Sequence, residues 1–225
     1  MKKAIYVLAF VMTAMFVVSD YATNAVDQQF TERNTVDGTI AVKGESGAYD
    51  FDKANSFIGF KVKHMGLIEV PGFFRDFTGK VDYNDADVTK SSVEFSAKVT
   101  SVDTGVAGRD GHLRRADFFD VEKFPDLTFK STKVTKKGKN LIVTGDLTMR
   151  GVTKPVSIPF TITGFLPGER PRMGITGETT INRRDFGVNY GGNLPGTEIP
   201  QIADQVKVVL QIEALKPKAA TPKAE

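Results

Sequence analysis

Period-two alternation of apolar and polar side chains runs through most of this chain and predicts strands with one dry and one wet face. In 56–65, Ile58, Phe60, Val62 and His64 share one face while Lys61 and Lys63 share the other. Seven further segments read the same way: 74–83, 91–100, 127–136, 140–149, 154–165, 172–182 and 204–214. Their apolar faces carry Phe77, Phe95, Phe129, Val143, Phe160 with Ile162, Ile175, and Val208 with Leu210. Tyr49 and Phe51 add a short alternation ahead of them. Polar turns join neighbours at 84–87 and at 136–140, where Gly138 suits a left-handed residue. Pro155 and Pro159 predict an edge-like or bulged position, because proline donates nothing to a ladder. The segment 66–74 breaks the alternation with Gly66, Pro71 and Gly72 yet stays apolar. It reads as a loop that plugs one end of the fold or forms an entrance touching lipid.

One stretch changes habit. In RDGHLRRADFFDVEKFPDLTF at 109–129, Leu113, Ala116 and Phe119 fall at helical spacing, so a single short helix stands amid strands. Pro125 then returns the chain to extended backbone. Phe118, Phe119 and Phe124 give this insert an apolar face, and Gly105, Gly108 and Gly111 give it a hinge, which together suit a lid over an apolar container. Parallel strands need long crossovers, and only this connection holds a helix, so the strands are antiparallel. The expected fold is therefore all-β: an eight-stranded antiparallel barrel with one short helix inserted between strands. Such a barrel is just wide enough for packed side chains or one small ligand, and a β-sandwich is the alternative. The glycine- and proline-bearing loop 182–204 has the length of a functional one.

Composition adds bounds. At 225 residues, 40% hydrophobic and 25% charged, the chain suits one core or one barrel. Lys2 and Lys3 precede an apolar run over 4–18, closed by Ser19 and Asp20, with Ala25 as a small residue for cleavage. This reads as a signal peptide over 1–25; a membrane anchor is the alternative, but the run is short for a span of ~20 residues. Polar, aperiodic 26–47 reads as a flexible arm, 48–216 as the barrel and 217–225 as a disordered tail. With no cysteine, neither a disulfide nor an acylated cysteine is available. A formal charge of +3 lacks the strongly basic face of a nucleic-acid partner.

Catalytic chemistry finds little support in this sequence. The chain has two histidines, no cysteine and no Gly-x-Ser-x-Gly elbow, so a nucleophile and base would have to be built around His64 or His112. His64 reads as a buried histidine satisfied by a backbone carbonyl, and His112 as a lid residue making a hydrogen bond. Asp110, His112, Asp117 and Asp120 match no zinc spacing, so no metal is expected. Apolar-ligand binding does better, because fourteen of the seventeen phenylalanines lie between Phe51 and Phe186. Candidate lumen residues are Ile58, Phe60, Val62, Phe77, Phe95, Leu113, Phe118, Phe119, Phe129, Val143, Phe160, Ile162, Phe186, Val208 and Leu210. A polar rim of His64, Arg109, Asp110, His112, Arg183 and Asp185 would choose the end left outside, or else pin the helix and long loop to the barrel. A core filled by its own phenylalanines, in a stress-response or structural module acting through a protein partner, is the competing reading.

Three separated motifs recur in one order: SVDTGVAGRDGHLRRADFFDVEKFPDLTFKST at 101–132, GDLTMRGVTKPVSIPF at 145–160 and INRRDFGV at 181–188. Together they make roughly 48–216 resemble the YceI-like family of bacterial polyisoprenoid-binding proteins. The resemblance implies a lipocalin-like barrel, secreted to the periplasm, that holds a long-chain isoprenoid of polyprenyl or quinone type in its lumen and has no catalytic residues. The isoprenoid is then the ligand, with no catalytic cofactor, no nucleic acid and no stable membrane anchor. Transient membrane contact and a homodimer stay open.

Overall fold

The computed structural model describes residues 43–138 and 140–218. The expected signal peptide, most of the arm and nearly all of the tail lie outside the described residues. Strands β1 (Gly47–Phe51), β2 (Phe57–His64), β3 (Ile68–Phe74), β4 (Phe77–Tyr83), β5 (Ser92–Lys98) and β6 (Val102–Asp103) precede helix α1 (Ala107–Leu113). After it come β7 (Asp126–Lys137), β8 (Asn140–Met149), β9 (Val152–Leu166), β10 (Arg172–Asn182) and β11 (Ile202–Leu215).

These strands form eight staves, because three staves are each broken in two. Both β1 and β2 pair with β11, at Phe51 opposite Ala214 and Phe57 opposite Gln211. Likewise β4 and β3 form one stave against them, and β5 and β6 the next. From β5 the ladder runs through β7, β8, β9 and β10 to β11, which meets β1 and closes an antiparallel barrel. The breaks have local causes. Asp52 turns the chain by accepting from the Ala54 N–H and the Asn55 amide, and Ser101 Oγ caps a short 3-10 turn by donating to Lys98 O.

Three expectations need correction. The segment 66–74 is mostly strand: Ile68, Val70 and Gly72 oppose His64, Val62 and Phe60, so only 65–67 is a turn. Its alternation is hidden because the outward face also carries Pro71 and Phe73, the latter covered by Phe57 and the Arg75 guanidinium. The helix ends at Leu113, so Gly108 and Gly111 lie inside it and Ala116 and Phe119 lie beyond it. Asp110 anchors its first turn by accepting from the Thr104 N–H, and successive turns onto Arg115 O mimic helical spacing afterwards. Folded chain also begins before 48. Gly44 sits so close to Phe165 and Tyr83 that an added Cβ would stand 2.5 Å from the Phe165 ring, and Glu45 pairs with Lys216 at 2.8 Å.

Pro155 and Pro159 do occupy edge-like positions. Ladder pairs between β9 and β10 span only 160–166, so both prolines stand where β8 alone is laddered to β9. Tyr49, Val81, Met173 and Ala214 fill the base, while at the other end Met149, Phe186 and Val188 pack with Phe118 of the segment that follows α1.

Candidate functional site

Inward side chains from the staves enclose a cavity of about 530 Å³ that runs from Ile68 and Tyr190 at the α1 end to Tyr83 and Val88 near the base. That volume falls within the ~300–1,000 Å³ of ordinary ligand sites. On its wall stand Ile58, Phe60, Val62, Phe95, Phe129, Val143, Phe160, Ile162, Val208 and Leu210 from the strands, with Leu113, Phe118 and Phe119 closing the top. Two candidates do not reach it. Phe77, on the same inward face as Val81, packs with Phe74, Phe95, Ala97 and Val102 off the cavity surface, and Phe186, only 2% exposed, packs with Phe118 and Val188.

The lumen stays open although phenylalanines line it. The Phe51 ring lies over Gly79 and the Phe60 ring over Gly72 on the neighbouring stave, and Phe129 covers Gly145 in the same way. A Cβ on Gly79 would fall 2.7 Å from Phe51 Cγ, and one on Gly145 would fall 2.6 Å from Phe129 Cζ. Each ring thus comes against a residue without a side chain, which lets it lie close to the wall. Gly79 itself leaves no lumen space, because Phe51 takes that place.

At the mouth, the polar residues are committed to the protein. Arg109 Nε donates to Thr104 Oγ1 at 2.7 Å and its Nη2 to Thr104 O at 2.8 Å, while buried Asp110 grips the same residue. His112 Nε2 donates to Asp117 Oδ2 at 2.8 Å, and this bond chiefly holds the Asp117 carboxyl below its ordinary range. The His112 ring meets Phe118 and Tyr190 edge-on. Arg183, 4% exposed, donates to the carbonyls of Ala203, Val188 and Ile202 and to Asp204, so its charge is fully engaged. Burial lowers its pKa from the ordinary guanidinium value. Asp110 does not line the cavity, and Asp185 is exposed outside it. His64 is exposed at the mouth between Ile68 and Ile202, not buried as expected.

Several lining residues were not singled out from sequence. Val156, Ile158, Ile175 and Ile212 lie on faces already read as apolar, so alternation alone would have found them. Val134 needed the β7 bulge between Ser131 and Lys133, which switches the inward parity. Tyr190 comes from an aperiodic loop and Val70 from the segment read as loop. Among the described residues, no group of three His, Cys, Asp or Glu side chains converges as metal ligands would.

A closed eight-stave antiparallel barrel with an open apolar lumen defines the lipocalin-like class of barrels. Within that class the chain belongs to the YceI-like family, whose domain matches residues 49–214. It is 35% identical to Protein YceI of Escherichia coli O157:H7 over 176 residues, covering 76% of this chain and 87% of that one. A UPF0312 protein of Pectobacterium carotovorum matches with the same identity and coverage. Among solved structures, Burkholderia cenocepacia BcnA superposes with a TM-score of 0.63 at 26% identity, over 72% of this chain and 98% of that chain. The Campylobacter jejuni YCEI protein does so with 0.60 at 29%, over 74% and 96%. A polyisoprenoid binding domain from Saccharophagus degradans shares the fold, with a TM-score of 0.55 at 16% identity, over 77% and 100%.

Proposed function

We propose that this protein binds a long-chain isoprenoid lipid in its lumen and carries or sequesters it in the periplasm. The observation that carries this reading is the continuous apolar cavity of about 530 Å³, kept open by phenylalanine rings laid against glycines. The shared fold of the Saccharophagus degradans polyisoprenoid binding domain supports the ligand class. A chain suits this shape better than a compact ligand. At ~0.8 kcal/mol per buried methylene, each five-carbon unit contributes ~4 kcal/mol before ordering costs. A few units therefore reach strong binding without a head-group contact. That agrees with a mouth whose arginines spend their donors on Thr104 and on backbone carbonyls. The arrangement is one of binding, with the wall residues holding the chain. The periplasmic assignment follows from Lys2, Lys3 and the apolar run over 4–18, read as an export signal cleaved before the arm.

The test is extraction. Solvent extract of protein purified from its natural compartment should show a prenyl lipid near one per chain by mass spectrometry. Protein that is reproducibly empty, and that takes up no polyprenyl alcohol or quinone on incubation, would overturn the reading.

A further inference from the structure

Among the described residues, eight large hydrophobic side chains stay exposed, and six of them ring one end of the barrel. Leu67 is 80% exposed and Ile68 62%, at the tip of the β2–β3 hairpin; Met65, Val106, Tyr190 and Ile199 surround them. The other two, Phe57 and Leu166, lie elsewhere, as isolated surface hydrophobics normally do. The tip is built, because Met65 at φ 50° and Gly66 at φ 72° form a tight turn in which the Leu67 N–H donates to His64 O at 3.0 Å. Met65 N–H donates to Gln201 O at 3.0 Å, and Ile199 Cγ2 lies 3.4 Å from the position of a Gly66 Cβ, so the long loop braces the hairpin.

This patch is continuous with the lumen, since Ile68 and Tyr190 are at once exposed and part of the cavity wall. The charges around it are partly balanced: Glu69 lies 4.0 Å from Lys61, Arg75 meets Asp103 at 2.6 Å and Arg184 meets Asp204 at 2.6 Å. An apolar tip with partly balanced flanks and a tyrosine at its margin matches the bilayer interface, where aromatic residues sit between tails and head groups.

We infer that the β2–β3 hairpin tip and Ile199 dock the barrel mouth onto a phospholipid bilayer, so that the lumen opens into lipid and its ligand passes without crossing water. This rests on the lumen-binding reading above. Insertion is driven by apolar burial, so it depends little on salt.

The chain contains no tryptophan, so Leu67→Trp gives a single reporter at the tip. With phosphatidylcholine vesicles its emission should shift to the blue, and the shift should persist at ~1 M salt, where the Debye length is ~3 Å. In co-sedimentation, Leu67→Asp with Ile199→Asp should lower partitioning at least ~100-fold. Extraction and mass spectrometry of the same preparations read the lumen separately. Lipid-loaded wild-type protein that ignores vesicles, or a double-aspartate variant that binds them as well as wild type, would overturn the docking inference and leave the lumen reading standing. Vesicle binding lost in the variant, with lumens empty throughout, would support docking and overturn the lumen reading. A blue shift that follows protein concentration without vesicles would place a second copy on the patch and also overturn docking to lipid.

Discussion

Replacing Gly79 by alanine puts a methyl group 2.7 Å from Phe51 Cγ, where ordinary contact is 3.4–4 Å. The ring cannot retreat into the wall, because Gly79 on β4 lies directly beneath it, so it must swing about 1 Å or more toward the barrel axis. Two effects follow. Overpacking costs ~1–3 kcal/mol in a filled core, and the low end applies here because the ring moves into open lumen. The ligand also loses room. A ring shifted by about 1 Å takes the space of about one or two methylenes, worth ~1–2 kcal/mol at ~0.8 kcal/mol each, so affinity should fall roughly 5- to 20-fold at ~1.4 kcal/mol per decade. Denaturant unfolding of stripped protein gives the first quantity, and titration with a fluorescent polyprenyl alcohol gives the second. Adding Phe51→Leu should restore room and recover most of the affinity. A stability loss above ~3 kcal/mol with unchanged affinity would refute the reasoning and restore the filled-core reading.

Arg183→Ala should cost about 3 kcal/mol or more in equilibrium unfolding, because it leaves the carbonyls of Ala203, Val188 and Ile202 without their shared donor. Asp185→Ala, at an exposed site two residues on, should stay within ~0.5 kcal/mol, and equal losses would refute the assigned roles. In the turn before α1, Asp103 accepts from the Gly105 N–H at 2.7 Å and from Arg75 Nε, and chiefly the former holds its carboxyl below the ordinary range. A depressed folded pKa makes this anchor complete above the usual aspartate value of ~3.9 and lost as pH falls through the folded value. Hydrogen exchange over 106–124, corrected for intrinsic rates, should therefore rise in acid relative to β8. Asp103→Asn should show that state at neutral pH; identical protection of both proteins at every pH would remove Asp103 as the anchor.

The strands and their inward faces were legible because alternation is local: Ile58, Phe60 and Val62 point one way whatever the rest of the chain does. The same holds for Val208 and Leu210, and for the absence of any parallel crossover. Reading failed wherever a distant partner decided the outcome. Residues 68–74 looked like a loop because Pro71 and Phe73 make the outer face apolar, and only pairing with β2 reveals a strand. Val134 turns inward through a bulge set by β8, and His64 is exposed because its stave ends at the mouth. Phe77 and Phe186 share the composition of the lumen wall, yet neighbouring side chains cover them and keep them off the cavity surface. Hollowness was beyond the sequence altogether. A phenylalanine count is the same for a filled and an open barrel, and what separates them is whether each ring meets a side chain or a glycine across the ladder. That depends on the register between Phe51 and Gly79, Phe60 and Gly72, and Phe129 and Gly145, which the pairing of neighbouring strands decides.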